Sequence, residues 1–331
     1  MALHRLTADQ YIDGILAGNR VILSRAITLV ESLLPSDRVL ASEVLQKLLP
    51  HSGNSIRIGI TGVPGVGKST FIENFGQYLT QQGFKVAVLA IDPTSQRTKG
   101  SIMGDKTRME TLSHDPNAFV RPSPSGHTLG GVAQKTRESM LLCEAAGYQI
   151  ILVETVGVGQ SETAVRDMVD FFMLLLLAGA GDELQGIKKG IMEMADALVV
   201  HKADGDNKTK AQLARLDYQN ALHLFPPQPN QWFPPVLLCS SLQKTGHSEI
   251  WETILSYQKQ TQENGFWESN RQHQKLDWMK TYLHDYLIQQ FMQKEGRIQQ
   301  IETLQKQVLA DQLTPIQAVH ELLNIPTSSI L

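Results

Sequence analysis

The run Gly62-Val63-Pro64-Gly65-Val66-Gly67-Lys68-Ser69 fits the spacing G-x-x-x-x-G-K-[ST]. Its chemistry is phosphate binding. The glycines let successive backbone N–H groups curl around a β-phosphate, and the dipole of a following helix adds positive potential. Lys68 is placed to reach β- and γ-phosphates, and the Ser69 hydroxyl to ligate Mg²⁺. Such a loop works only between a strand and a helix, and the flanking residues supply both. Ile56–Thr61 reads as a strand, and the residues after Ser69 read as a helix.

Three further clusters sit where later strands should end. Glu154-Thr155-Val156-Gly157 places a carboxylate that would hold Mg²⁺ directly or through water, and a Gly157 N–H that could sense a γ-phosphate. Many GTPases carry Asp-x-x-Gly there, so Glu154 is a departure. His201-Lys202-Ala203-Asp204 resembles the guanine motif Asn-Lys-x-Asp. The Asp204 carboxylate can accept from both the N1–H and the N2 amino group of guanine, a donor pair that adenine lacks. Lys202 would lie along the base or ribose. His201 replaces the asparagine and could donate one bond to N7 or O6, which would relax guanine selection and admit some ATP. Cys239-Ser240-Ser241-Leu242 fits the element whose backbone N–H contacts guanine O6.

Between these clusters lie two loops of unusual composition. The first runs from Asp92-Pro93-Thr94-Ser95 to Gly100–Arg108. In it Asp92 closes a strand on the side where ligands gather, and Asp105 could coordinate Mg²⁺ or position water. Lys106 and Arg108 could neutralise phosphate charge. The second, Gly179–Gly190, has glycines at each end, as suits a loop that changes conformation.

The elements that must hold these residues follow from periodicity. Ile56–Thr61, Lys85–Ile91, Ile150–Glu154, Phe171–Ala178, Ala197–His201 and Val236–Cys239 read as six buried strands. Helical stretches lie between several of them, which implies an α/β fold with a mostly parallel sheet covered on both faces. Residues 1–50 read as helices, with a capping box at Thr7 and Gln10, a break at Pro35 and a renewed pattern over Val39–Leu49. His51–Asn54 reads as a linker. From about Gly265 the chain is helical again, with Leu276, Met279, Leu283, Tyr286 and Leu287 on one face and a helix start at Thr314-Pro315-Ile316-Gln317.

Composition limits the partners. The 331 residues are 42% hydrophobic, ample for a core. The net charge of −3 argues against a bulk electrostatic nucleic-acid binder. Two cysteines, Cys143 and Cys239, make no disulfide framework, which fits a reducing compartment. The first ten residues lack the apolar core of a signal peptide. The longest apolar run, Phe171–Ala180, is far short of the roughly 20 residues of a membrane span. The expectation is a cytoplasmic protein without membrane or nucleic-acid partners.

These residues together resemble the MeaB/ArgK/MMAA family of P-loop GTPases over nearly the whole chain, the bacterial ArgK (YgfD) type above all. The distinctive stretches are Ile91–Ser95, Gly100–Met109, Glu154–Glu162 and Gly181–Ile191. Glu154, odd against ordinary GTPases, is a hallmark of this family and its metallochaperone relatives. The resemblance implies that Gly62 to Thr70 bind phosphates, that Ser69, Asp92, Asp105 and Glu154 surround Mg²⁺, and that Asp204 reads the base. It implies two switches, 92–109 and 154–168, and a third at 179–190 that meets a partner. It implies a homodimer, and a GTP-dependent chaperone that gates cofactor loading of an adenosylcobalamin-dependent methylmalonyl-CoA mutase and protects it.

The resulting expectation is a G-domain over 52–262, with a helical arm 1–51 before it and a helical dimerisation arm 263–331 after it. It would hydrolyse GTP to GDP slowly. Lys68 and Mg²⁺ would neutralise phosphoryl charge, and Gln160 and Asp105 are the candidates for positioning water, because Val158 cannot. Three rivals are a P-loop kinase acting in arginine/ornithine transport, a metallochaperone GTPase and a non-hydrolysing scaffold. The kinase would need a phosphoacceptor pocket. The metallochaperone would need a Cys/His cluster, whereas the two cysteines lie 96 positions apart. The scaffold is opposed by the intact Lys68–Ser69 pair.

Overall fold

The computed structural model describes residues 5–91, 109–121, 129–155, 161–179 and 189–324. Seven strands form one sheet: β1 (Ile56–Gly62), β2 (Val86–Ile91), β3 (Ala118–Arg121), β4 (Ile150–Thr155), β5 (Phe171–Leu177), β6 (Ala197–His201) and β7 (Val236–Leu238). Their order is β3-β2-β4-β1-β5-β6-β7, and every neighbouring pair is parallel. The sheet is thus wholly rather than mostly parallel, and it has a seventh strand absent from the sequence reading. That strand, β3, is four residues at the sheet edge, too short to show a pattern.

Strand side chains alternate between two cores, as period two requires. Ile58, Ile60, Ile150, Leu152, Phe171, Met173 and Leu175 face one side, where α4 (Lys68–Gln81), α5 (Glu110–His114) and α10 (His247–Glu263) cover them. Ile151, Val153, Phe172, Leu174 and Leu176 face the other. That side is covered by α1 (Ala8–Leu16), α2 (Arg20–Glu31), α3 (Pro35–Leu48), α6 (Leu129–Ala145), α7 (Ser161–Arg166), α8 (Lys189–Met194) and α9 (Lys208–Leu222). On this side β1 carries Gly59, where a Cβ would lie 2.9 Å from both Phe172 and Val165. Only glycine lets the elements approach so closely.

The capping box of Thr7 and Gln10 forms as expected, with both reciprocal bonds at the start of α1. Pro35 does not interrupt a helix. It opens α3 from the first position, where its missing N–H and fixed φ cost nothing.

The chain divides into two compact units, Met1–Gln274 and Lys275–Leu331. The first contains α1–α10, the sheet and the first turns of α11 (Phe266–Met292). The second contains the rest of α11, then α12 (Arg297–Leu309) and α13 (Pro315–Leu323). Within the second unit Arg297 stacks 4.1 Å above the Phe291 ring and donates to the Leu322 carbonyl at 2.7 Å. The Thr314–Gln317 capping box is present at the start of α13.

Candidate functional site

Strand β1 lies between β4 and β5, where the chain's progression across the sheet reverses. Crevices at the carboxyl ends of strands form at such a point. The loop Val63–Gly67 leaves β1 there and enters the 14-residue helix α4. Gly62 has φ 151°, and a Cβ on it would lie 2.5 Å from the Leu175 carbonyl oxygen. Gly65 and Gly67 also take left-handed φ values, 82° and 97°. Around Gly65 a Cβ would meet nothing within 4 Å, so the loop is open on that side.

Lys68 is buried, and its Nζ donates to the carbonyls of Gly62 at 2.7 Å and Val63 at 3.3 Å. Burial pulls the ammonium below its ordinary pKa, while the charges of Glu154 and Glu162 hold it up. Ser69 Oγ donates to Glu154 Oε1 at 3.0 Å. Glu154 itself is buried at the end of β4, level with Ile60 of β1. Beside it the Thr155 hydroxyl donates to Thr61 Oγ1 at 2.8 Å, tying the two strand ends together. A hydroxyl and a carboxylate at one helix start are the hard oxygen donors that Mg²⁺ takes, so the pair fits that ion. When bound there, Mg²⁺ would supply charge neutralisation at β- and γ-phosphate oxygens.

The residues expected from sequence to read a base come together from two loops. The Ser240 hydroxyl donates to Asp204 Oδ2, and the Gln243 N–H donates to Ser240 Oγ at 3.1 Å. The Ala203 N–H donates to the Cys239 carbonyl at 3.1 Å, which fixes the end of β6 against the end of β7. Lys202 has φ 56°, and its Nζ donates to the Gly65 carbonyl at 2.8 Å. Leu242 is 84% exposed at the loop tip.

His201 turns both ring nitrogens to protein partners rather than leaving one free for a base, as the sequence had suggested. It is buried, with Nδ1 2.8 Å from the Val66 carbonyl and Nε2 2.8 Å from Ser241 Oγ. Both ring nitrogens are therefore engaged within the protein, and the argument that His201 admits ATP loses its basis.

The structure thus brings Gly62–Ser69, Glu154, Lys202, Asp204, Ser240 and Ser241 to the carboxyl ends of the strands, on one side of the sheet domain. Thr70 follows in the first turn of α4. Asp92, Asp105, Gly157 and Gln160 lie outside the described residues. Glu162, which acts on Lys68 by charge, is buried near the start of α7 and was not singled out from sequence. Its only signal was its place in the stretch after Glu154.

A family model described as "Methylmalonyl Co-A mutase-associated GTPase MeaB" matches residues 23–296. The chain belongs to the MeaB family. It is a P-loop GTPase, and several of its relatives are named GTPases. GTPase ArgK of Escherichia coli is 47% identical over 88% of each chain. The methylmalonic aciduria type A homolog of mouse mitochondria is 44% identical over 95% of this chain and 78% of its own. Among solved structures, one titled as a LAO/AO transport system kinase superposes with a TM-score of 0.77 and 38% identity, over 98% of this chain and 99% of that one. Membership of this GTPase family implies guanine nucleotide as a ligand of the chain. Of the described residues, no helix is long and apolar enough to cross a membrane.

Proposed function

We propose that this MeaB-family GTPase is a cytoplasmic chaperone of an adenosylcobalamin-dependent methylmalonyl-CoA mutase, using GTP binding and hydrolysis to gate cofactor loading and protect the enzyme. The observation that carries this reading is the mutase-associated family match, which spans the whole nucleotide site. In this reading Gly62 to Thr70 bind the phosphates, and Ser69 and Glu154 hold Mg²⁺ with Asp92 and Asp105. Asp204 accepts from guanine, and Lys202 lies along the nucleotide. Lys68 neutralises charge on the transferred phosphoryl group, and Gln160 or Asp105 positions water.

The chain acts as a homodimer through its C-terminal helical arm. Leu276, Met279, Leu283, Tyr286 and Leu287 of α11 are all about half exposed, which supports an apolar contact with a second copy. Both thiols of the chain are buried and pushed up in pKa by that burial, Cys239 to about 12, so neither is a ready thiolate ligand for a metal cargo.

The test is a pull-down from the native cell with GDP and with a non-hydrolysable GTP analogue. Recovery of a cobalamin-dependent mutase in amounts that depend on the nucleotide supports the proposal. Recovery of no mutase with either nucleotide, from cells that contain one, overturns it.

A further inference from the structure

His201, a candidate donor to guanine N7 or O6 by its place in the chain, is held by the protein at both ring nitrogens. The Val66 carbonyl can only accept a hydrogen bond, so His201 Nδ1 must carry a proton. Burial lowers the imidazole's pKa, with Lys202 adding to the effect against the Val66 bond and Asp204. The ring is therefore neutral, and Nε2 has a lone pair that accepts from the Ser241 hydroxyl. One side chain thus bonds the phosphate loop with one nitrogen and the β7 loop with the other.

The ring is also packed against the phosphate loop. A Cβ at Gly67 would come 2.9 Å from His201 Cε1 and 3.0 Å from Nδ1. The ring stands edge-on to Phe71 of α4, centroids 5.9 Å apart. The next residue, Lys202, grips the neighbouring loop carbonyl, that of Gly65. The end of β6 therefore holds two successive carbonyls of the phosphate loop, while Ser241 and Ser240 tie the same strand end to the β7 loop.

We propose that His201 is the positioning residue that joins the phosphate loop to the base-reading loop, so that the two halves of the nucleotide site are held as one unit. Its neutral Nδ1–H form carries the coupling. A change in the β7 loop, distant in sequence from every phosphate contact, should then weaken phosphate binding.

The experiment displaces a fluorescent GDP from the full-length protein with GDP and, separately, with inorganic tripolyphosphate, which has no base. Wild type, His201→Ala, Ser241→Ala and the double variant are compared, with thermal melts to establish folding. The expected result is that His201→Ala weakens GDP and tripolyphosphate by the same factor, about tenfold, and that the double variant is no worse than His201→Ala alone. Unchanged tripolyphosphate affinity in a folded His201→Ala protein overturns the proposal, because the phosphate loop would then not depend on His201. If His201→Ala does not fold, Ser241→Ala decides. A fall of about threefold or more in tripolyphosphate affinity supports the coupling, and no fall overturns it. Nitrogen NMR of labelled histidine gives a readout that loss of packing alone would not move. The wild type should show the Nδ1–H tautomer at His201, and an Nε2–H tautomer there overturns the assignment.

Discussion

Replacing Arg271 by alanine should destabilise the first unit without altering its nucleotide site. Arg271 lies in the first turns of α11 and forms a two-pronged pair with Asp170, Nε to Oδ1 at 2.7 Å and Nη2 to Oδ2 at 2.7 Å. It also donates to the carbonyls of Gly53 and Ser55 and lies 4.9 Å over the Trp267 ring. The Asp170 side chain is 1% exposed. Removing one partner of a buried pair leaves a charge without compensation, which costs about 3–5 kcal/mol. Asp170 keeps one bond, from the Arg57 N–H at 2.8 Å, so the lower end applies. A loss of about 3 kcal/mol corresponds to a Tm lower by about 6–12 °C for a unit of this size. Arg57 and Gly62 are five residues apart on β1, roughly 16 Å, so the phosphate loop stands well away from the lesion. Differential scanning calorimetry and GDP titration on Arg271→Ala check both halves. A Tm shift below about 2 °C would refute the buried-pair reasoning, and a tenfold loss of GDP affinity in the folded protein would refute the separation. The same geometry fixes where a truncation that tests dimerisation must end. A chain stopped at Gln274 keeps the pair, whereas one stopped at Ser269 loses it and mixes instability with assembly.

Lys68→Ala should abolish phosphate release and weaken GTP binding about 100-fold, since it removes a buried cation facing two phosphates; normal turnover in a folded variant would contradict the assignment. Asp204→Asn should weaken GTP about 100-fold and leave ATP competition unchanged, because the amide turns a donor toward guanine's donors; equal GTP affinity in equilibrium titration would exclude the base contact. Stability should fall as pH drops from about 6.5 toward 5. His247 is pushed down to about 4 by burial and by the neighbouring His201 and Lys244, and His201 is lowered too, so the unfolded chain takes up protons that the folded one refuses. Each histidine adds a slope of at most about 1.4 kcal/mol per pH unit in that window, and urea midpoints that stay level between pH 7 and 5 would contradict it.

Much of the sheet was legible because parallel strands are buried on both faces and read as continuous apolar runs. Residues 171–176 and Ala197–His201 are cases where neither face meets water. The edge strand Ala118–Arg121 lacks that signal, because it is short and only partly buried. The phosphate loop was legible because glycine spacing, lysine and serine must be adjacent in the chain to work at all. The ionic supports were not. Asp170 and Arg271 are 101 positions apart, and Arg57 and Glu144 are 87 apart. No local pattern marks such pairs. His201 was visible as a departure from asparagine, but its role needed the positions of Val66 and Ser241, 135 and 40 residues away.

The two ends of the sheet carry opposite kinds of polar chemistry. At the amino ends of β1 and β5, burial would raise Glu144, but the Arg57 charge and bonds from Arg57, Ser55 and Gly53 hold it below the usual carboxylate range. The partners come from the start of β1 and the segment just before it, so the arrangement ties that strand to α6 and serves stability. At the carboxyl ends the polar groups are also paired, yet with partners that a ligand can replace. Lys68 holds carbonyls of its own loop, and Ser69 holds Glu154. Nucleotide binding can draw Lys68 from those carbonyls to phosphate oxygens and release Ser69 from the carboxylate. Each exchange gives the side chain a new partner in place of the old one, while the Gly62 and Val63 carbonyls give up their lysine donor. The net gain then comes from placing phosphate charge beside a buried ammonium whose charged form desolvation disfavours. That gain depends on the loop keeping its shape while Lys68 lets go. The bonds from His201 to Val66 and from Lys202 to Gly65 do not involve Lys68, and they hold the loop through the exchange.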